Sequence, residues 1–242
     1  MASITRVCFG IQARSTSTRL PGKVLREVAP GRPLLRYVLD SVNSSVQYLN
    51  KKTHQHGIMA NLAVLCPVGD PAVAYAKTMF PVIEGPEHDV LARYFTLAEK
   101  MDSDYFVRIT ADCPRLPPRV MSSIVLHAVN HRYDFASNAF ETVRTAIDGH
   151  DVEIMSKRAL EWAHKTATDP SEREHVTLIF KGSARPDWLQ TLCIMHPTDE
   201  STVKYSIDTE EELDRFSDER RRYRDKYRLA EQMFGKDHVF RV

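Results

Sequence analysis

The chain has 242 residues, enough for one large α/β domain or two small ones. Its 33 Lys and Arg balance 32 Asp and Glu, and a formal net charge of +1 gives no bulk electrostatic reason for nucleic acid or an anionic membrane as partner. No apolar run approaches the roughly 20 residues that cross a bilayer, and residues 1–6 lack the apolar stretch of a signal peptide.

A first β-strand is predicted over 6–11, from the run Val7-Cys8-Phe9-Gly10-Ile11. The loop that follows carries three cations (Arg14, Arg19, Lys23), four hydroxyl residues (Ser15, Thr16, Ser17, Thr18) and Pro21-Gly22. That composition after a buried strand suits a polyphosphate, because hydroxyls and backbone N–H groups line the loop and fixed cations neutralise the ligand. Solvated cations in a polar loop are the plainer alternative. The loop is neither a Walker GxxxxGK[ST] nor a Rossmann GxGxxG.

A helix is predicted over 34–46, followed by a polar surface loop over 47–57. Strands over 61–66, 81–83 and 105–109 alternate with helices over 71–79, 89–101 and 118–130. In 89–101, Val90, Leu91, Tyr94, Phe95, Leu97 and Ala98 form one apolar stripe. This βαβα rhythm argues for a mostly parallel sheet covered on both faces.

The second half is less regular. Strands are expected over 134–136, 151–155 and 203–207. Ser156 caps a helix through about 165, and Asp169-Pro170-Ser171-Glu172 signals another helix start. Thr209-Glu210-Glu211-Glu212 reads as a capping box, and 218–226 as a charged, solvated helix face. With no repeat or linker, a single domain over 1–242 is expected. Cys8, Cys66, Cys113 and Cys193 lie scattered without a CxxC, which fits buried free thiols and a cytoplasmic location.

Open parallel sheets bind ligands at the carboxyl ends of their strands. Three polar clusters fall there: the opening loop, Asp112 in Arg108-Ile109-Thr110-Ala111-Asp112-Cys113-Pro114, and Asp208 in Ser206-Ile207-Asp208-Thr209. A carboxylate at a strand end holds Mg²⁺ beside phosphates, although Asp there is also a turn former or a helix-start acid. Two such carboxylates and one polyphosphate loop together describe a metal-assisted nucleotide site. Asp151 and Glu153 alternate along one strand, and Arg173 and His175 open a capped helix. Surface salt bridges are the alternative for both pairs. The ten histidines show no zinc-site spacing.

Taken together, the segments are recognisable. IQARSTSTRLPGK resembles the IQARMGSTRLPGK-type signature of the cytidylyltransferase family that includes acylneuraminate cytidylyltransferases. It stands closest to the branch of spore-coat polysaccharide biosynthesis protein F. The run His88-Asp89-Val90-Leu91-Ala92-Arg93-Tyr94, the segment Arg108 to Pro114, Ser137-Asn138, Gly149 to Glu153, Asp169 to Val176 and Ser206 to Thr209 resemble further family segments, in family order. Thr16 and Ala111 stand where the family has Gly, and the region Leu65-Cys66-Pro67-Val68-Gly69-Asp70 stands where it usually has an Ala-Thr-Ser strand end.

The resemblance implies a Rossmann-like three-layer α/β/α sandwich of the nucleotide-diphospho-sugar transferase (GT-A-like) type, with a nucleotide half to about 130 and an acceptor half beyond. It implies a nucleotidyltransferase that uses CTP and Mg²⁺ to place CMP on a sugar or sugar-like acceptor, releasing pyrophosphate, in polysaccharide or glycoconjugate biosynthesis. It also allows a homodimer. By position, Gln12, Ala13, Arg14, Ser17, Thr18, Arg19, Lys23 and Arg108 would bind the nucleotide. Asp112 and Asp208 would hold the metal. Arg14, Lys23 and Asp208 would act in catalysis, while Asn138, Asp151, Glu153, Arg173 and His175 would face the acceptor. Another nucleotide, a non-sugar phosphate acceptor, or a non-catalytic nucleotide-binding role remain alternatives. A GT-A glycosyltransferase fits less well, because Ala111 and Cys113 flank a single Asp instead of a DxD pair.

Overall fold

A computed structural model describes residues 4–183 and 185–234, with the backbone alone for 225–234. β1 (Thr5–Gln12) leads into the opening loop, which ends in a 3-10 turn at Lys23–Leu25 and a small hairpin, β2 (Glu27–Ala29) with β3 (Arg32–Pro33). Then come α1 (Leu34–Lys51), α2 (Thr53–His56), β4 (Ile58–Pro67), α3 (Pro71–Lys77), β5 (Val82–Gly85), α4 (Val90–Lys100), β6 (Tyr105–Thr110) and α5 (Pro118–Asn130). The rest is β7 (Phe135–Ser137), β8 (Glu153–Ser156), α6 (Lys157–Thr166), α7 (Pro170–His175), α8 (Leu178–Lys181), β9 (Thr191–Cys193) and α9 (Glu210–Phe234).

Seven strands form one sheet in the order β5-β4-β1-β6-β8-β7-β9. The first four are parallel, β8 runs antiparallel to both neighbours, and β9 is parallel to β7. The strand period of two divides β1 between two cores. Val7, Phe9 and Ile11 pack with α1, α3 and α5 on one face, and Cys8 packs with α4, α6 and Phe180 on the other. This is the expected three-layer α/β/α sandwich. Cys8, Cys66 and Cys113 are buried free thiols, and Cys193 is partly covered.

Two expected segments differ. Residues 47–57 are not a loop: α1 continues to Lys51 and α2 follows. Leu49 is fully buried there, and the Asn50 amide bonds both backbone groups of Ala60, at 2.9 and 2.7 Å. Helix and sheet edge therefore hold each other. Residues 203–207 do not form a strand; only an isolated bridge joins Lys204 to Asp148. Tyr205 and Ser206 donate to the Asp148 carbonyl and Ile207 donates to that of Asp112, so this backbone is committed to two loops. Gly149, at φ 95°, permits the approach, since a Cβ there would lie 2.5 Å from the Ser206 nitrogen. The hairpin and β9 are too short to show a pattern in the sequence.

Tyr94 closes the layer beneath the site. Its hydroxyl donates to the Gly10 carbonyl at 2.7 Å, and the ring is fully buried. A Cβ on Gly10 would meet Tyr94 Cε1 at 2.6 Å. Gly10→Ala is therefore expected to destabilise the protein by about 1–3 kcal/mol through overpacking. Chemical denaturation measures this, and an unchanged midpoint would contradict the packing described.

Candidate active site

β1 and β6 pair in register up to Gln12 and Thr110, so the opening loop and the Asp112 loop leave the sheet side by side. The Ala111 N–H donates to the Gln12 carbonyl at 3.0 Å and fastens them together. The opening loop is shaped by its own contacts. Asp70, the N-cap of α3, accepts from the Ser15 N–H at 2.7 Å and its hydroxyl at 2.8 Å. The Gly22 N–H closes back onto the Ser15 carbonyl at 2.8 Å. Leu20 sits in a third apolar cluster with Val28, Leu34, Ile207, Leu213 and Phe216. That cluster ties the loop to the start of α9.

Thr16 takes an ordinary backbone conformation. Among the described residues other than glycine, only Arg132 and Val176 have positive φ. The Thr16 hydroxyl donates to Glu87, so the side chain that replaces the signature glycine crosses to the β5–α4 loop without backbone strain.

A cavity of about 150 Å³ opens beside the loop, lined in part by Gln12, Arg14, Ser17, Thr18, Arg19, Lys23 and Asp112. Ala13 turns the other way into the core. At the cavity wall the buried Lys23 ammonium donates to Asp112 Oδ2 at 2.8 Å, to Asp208 Oδ1 at 3.0 Å and to the Ile207 carbonyl at 2.8 Å. Arg19 reaches Asp208 at 2.9 Å, and Lys204 reaches its other oxygen at 3.1 Å. The Thr209 capping box forms, with the Glu212 carboxylate accepting from the Asp208 and Thr209 N–H groups at 2.6 and 3.1 Å. It fixes Asp208 at the head of α9.

Burial alone would lower the Lys23 pKa, but Asp112 and Asp208 outweigh it and hold the ammonium above the usual lysine range. Burial would raise the Asp208 pKa, but Lys23 and Lys204 pull it below the usual carboxylate range.

Other expected residues have different neighbours. Arg108 points to the α4 side, where Glu153 binds it at 2.5 Å. Lys181 and the Thr177 hydroxyl, each at 2.7 Å, complete that buried cluster around Glu153. β8 starts at Glu153, so Asp151 lies outside the strand and pairs with Arg144. Burial is the largest influence on Asp151 and pushes its carboxyl up to about 6. Asn138 brackets the same loop, accepting from the Val152 N–H and donating to the His150 carbonyl, both at 2.8 Å. Arg173 binds Asp89 at 2.7 Å, and His175 is exposed. Lys204, Asp70 and Glu174 were not singled out in the sequence. Of these, Asp70-Pro71 carries a legible N-cap signal and Lys204 stands four residues before Asp208, whereas the partner of Glu174 lies 160 residues away.

Among the described residues, no three His, Cys, Asp or Glu side chains are grouped to hold a metal. The donor set nevertheless fits Mg²⁺, which commonly takes one or two carboxylates and leaves its other positions to phosphates and water. Asp112 and Asp208 already share one cation, the Lys23 ammonium.

A sequence model of the family described as cytidylyltransferase matches residues 9–233. The chain belongs to the cytidylyltransferase family. Its members are nucleotidyltransferases. Among relatives, the spore coat polysaccharide biosynthesis protein SpsF of Bacillus subtilis is 27% identical over 86% of this chain and 83% of its own. Matches to relatives span from 43% to 83% of those proteins' lengths. Among solved structures, a cytidylyltransferase from Leptospira borgpetersenii superposes with TM-score 0.76 at 23% identity, covering 98% of this chain and all of the other. A CMP:2-keto-3-deoxy-manno-octonic acid synthetase complexed with CTP gives TM-score 0.58 at 15% identity, covering 90% of this chain and 100% of the other. These likenesses establish a shared fold. No helix among the described residues is long and apolar enough to cross a membrane.

Proposed function

We propose that this chain is a single-domain, Mg²⁺-dependent cytidylyltransferase that moves CMP from CTP onto a sugar or sugar-like acceptor and releases pyrophosphate. The observation that carries the proposal is the Lys23 ammonium between Asp112 and Asp208, beside a cavity lined by Arg14, Arg19 and loop hydroxyls. Family membership supports cytidine as the base, and the relative named for spore coat polysaccharide supports a saccharide acceptor.

In this reading the acceptor oxygen attacks the α-phosphorus in line with the departing pyrophosphate. Asp112 and Asp208 would hold the Mg²⁺, which when bound would supply charge neutralisation and orientation of the phosphates. Arg14, Arg19 and Lys23 bind the triphosphate, and charge growing on its oxygens is stabilised by these fixed cations. Gln12, Ser17 and Thr18 lie along the nucleotide, while Ala13 packs in the core and Arg108 is held by buried Glu153. Asn138, Asp151, Arg173 and His175 serve the acceptor side, with Glu153 buried behind them among Arg108, Lys181 and Thr177.

Thermal unfolding with each of four NTPs and Mg²⁺ tests the base. CTP should raise the midpoint most, since a ligand at 100 times its Kd stabilises by about 2.7 kcal/mol. Equal shifts from all four would remove cytidine from the proposal. Pyrophosphate release with a panel of acidic sugars and sugar phosphates then identifies the acceptor, and Asp112→Ala should abolish it.

A further inference from the structure

The three loop cations are not equivalent. Arg19 and Lys23 are paired with Asp208 and Asp112, the two carboxylates assigned to the metal. A cation bound there would release both side chains toward the phosphates. Arg14 differs, because its guanidinium donates to Glu174 Oε1 at 3.1 Å. Glu174 belongs to α7 in the acceptor half, 160 residues away in the chain. Neither side chain is deeply buried, at 35% and 34% exposure, so either can change partner without opening a core.

α7 is built to stay where it is. Arg173, next to Glu174, is anchored to Asp89 at 2.7 Å and to the Ala167 carbonyl at 3.0 Å. The helix ends at the buried Val176, whose φ of 61° and ψ of −52° are rare for a β-branched residue. The Thr177 N–H donates to the His175 carbonyl across it at 2.6 Å, which makes the turn a strained γ-turn. Strain of this kind persists only where the surroundings over-determine it, and it clusters at functional sites. The Thr177 hydroxyl supplies part of that hold by donating to buried Glu153 at 2.7 Å. The carboxylate facing Arg14 is thus presented by a fixed support.

We propose that Glu174 is a positioning residue that keeps Arg14 paired until a triphosphate displaces it. The proposal rests on the reading that Arg14 meets the nucleotide phosphates. It adds a cost to nucleotide entry: the Arg14–Glu174 pair must break, and Glu174 remains as an anion beside the incoming polyphosphate. Glu174 also places that cost on the helix that carries Arg173 and His175, so this ion pair links the opening loop to the acceptor side of the site.

The test is a double-mutant cycle on binding, measured by calorimetry with Mg²⁺ and either CTP or inorganic tripolyphosphate as probe. Glu174→Gln should tighten both probes by roughly two- to fivefold, the range for a partly exposed ion pair. In an Arg14→Ala background the same change should have less than about half that effect on a logarithmic scale, since the competing pair is gone. In steady state, Glu174→Gln should lower KM for the nucleotide and leave kcat within about twofold, a split that loss of a merely structural contact would not produce. Unchanged or weaker binding in Glu174→Gln overturns the proposal, as does an equal effect in both backgrounds. If tripolyphosphate shows the expected cycle while CTP is not preferred over other nucleotides, the Glu174 proposal stands and the cytidine reading falls. If no variant binds either probe, both fall.

Discussion

Replacing Lys23 with alanine is expected to lower the rate of the proposed CMP transfer by roughly 10²–10³-fold, the scale of removing one pre-set donor from developing charge. Lys23 is the only loop cation that touches both Asp112 and Asp208, at 2.8 and 3.0 Å. Its loss removes a charge from the phosphate side and leaves two carboxylates facing each other. Asp208 keeps Arg19 and Lys204, and Asp112 is more than a quarter exposed, so the fold should survive. Burial works against the ammonium, yet the two aspartates raise its pKa above the usual lysine value of 10.5. Its stabilising contribution is complete below that value and is lost only as pH rises through the raised one. The rate defect should therefore not be rescued by changing pH between about 6 and 9. Rapid-quench measurement of the chemical step decides the matter. A wild-type rate in Lys23→Ala with bound CTP would remove Lys23 from the mechanism.

Glu153→Ala should cost stability more than activity. Glu153 is 2% exposed and is the common partner of Arg108, Lys181 and Thr177. Truncating it leaves the Arg108 guanidinium buried without its counter-charge, which typically costs about 3–5 kcal/mol. In a domain of this size that corresponds to a drop in Tm on the order of 10 °C. Replacing both partners with apolar residues of similar volume, Arg108→Met with Glu153→Leu, should restore most of the loss, because no buried charge is then unpaired.

The pH dependence has a defined sign. Burial pushes the Glu153 carboxyl upward, but Arg108 and Lys181 outweigh it and hold the folded pKa below the usual 4.5. Its stabilisation is therefore present above the unfolded value and is lost as pH falls through the folded one. Thermal midpoints of the wild type from pH 7 to 3 should fall more steeply than those of the double replacement. Parallel curves would show that the cluster does not govern acid stability.

Much of this molecule is legible in its local pattern. The alternation of Val7, Phe9 and Ile11 with Cys8 marks a strand between two cores, and both cores form. Asp169-Pro170 and Thr209 with Glu212 signal helix starts through groups only a few residues apart, and both caps are present. Residues 47–57 read as a loop because their composition is polar; what keeps Leu49 and Asn50 helical is docking onto β4, which no local window contains. The segment 203–207 has strand-like composition, but the N–H groups of Tyr205, Ser206 and Ile207 are taken by the Asp148 and Asp112 carbonyls.

The sequence by itself determined the parallel α/β sandwich, the cytidylyltransferase family and the loops that carry Arg14, Lys23, Asp112 and Asp208. Hydrophobic period, capping and motif order are short-range properties, and a single chain displays them. Only the tertiary structure decided who pairs with whom. Lys23 bridges Asp112 and Asp208 across separations of 89 and 185 residues, Arg14 faces Glu174, and Arg108 is neutralised by Glu153. Ion pairing in a partly buried site depends on distance and desolvation in space. Those are fixed by the register of β1 against β6 and by the apolar cluster that brings α9 to the opening loop.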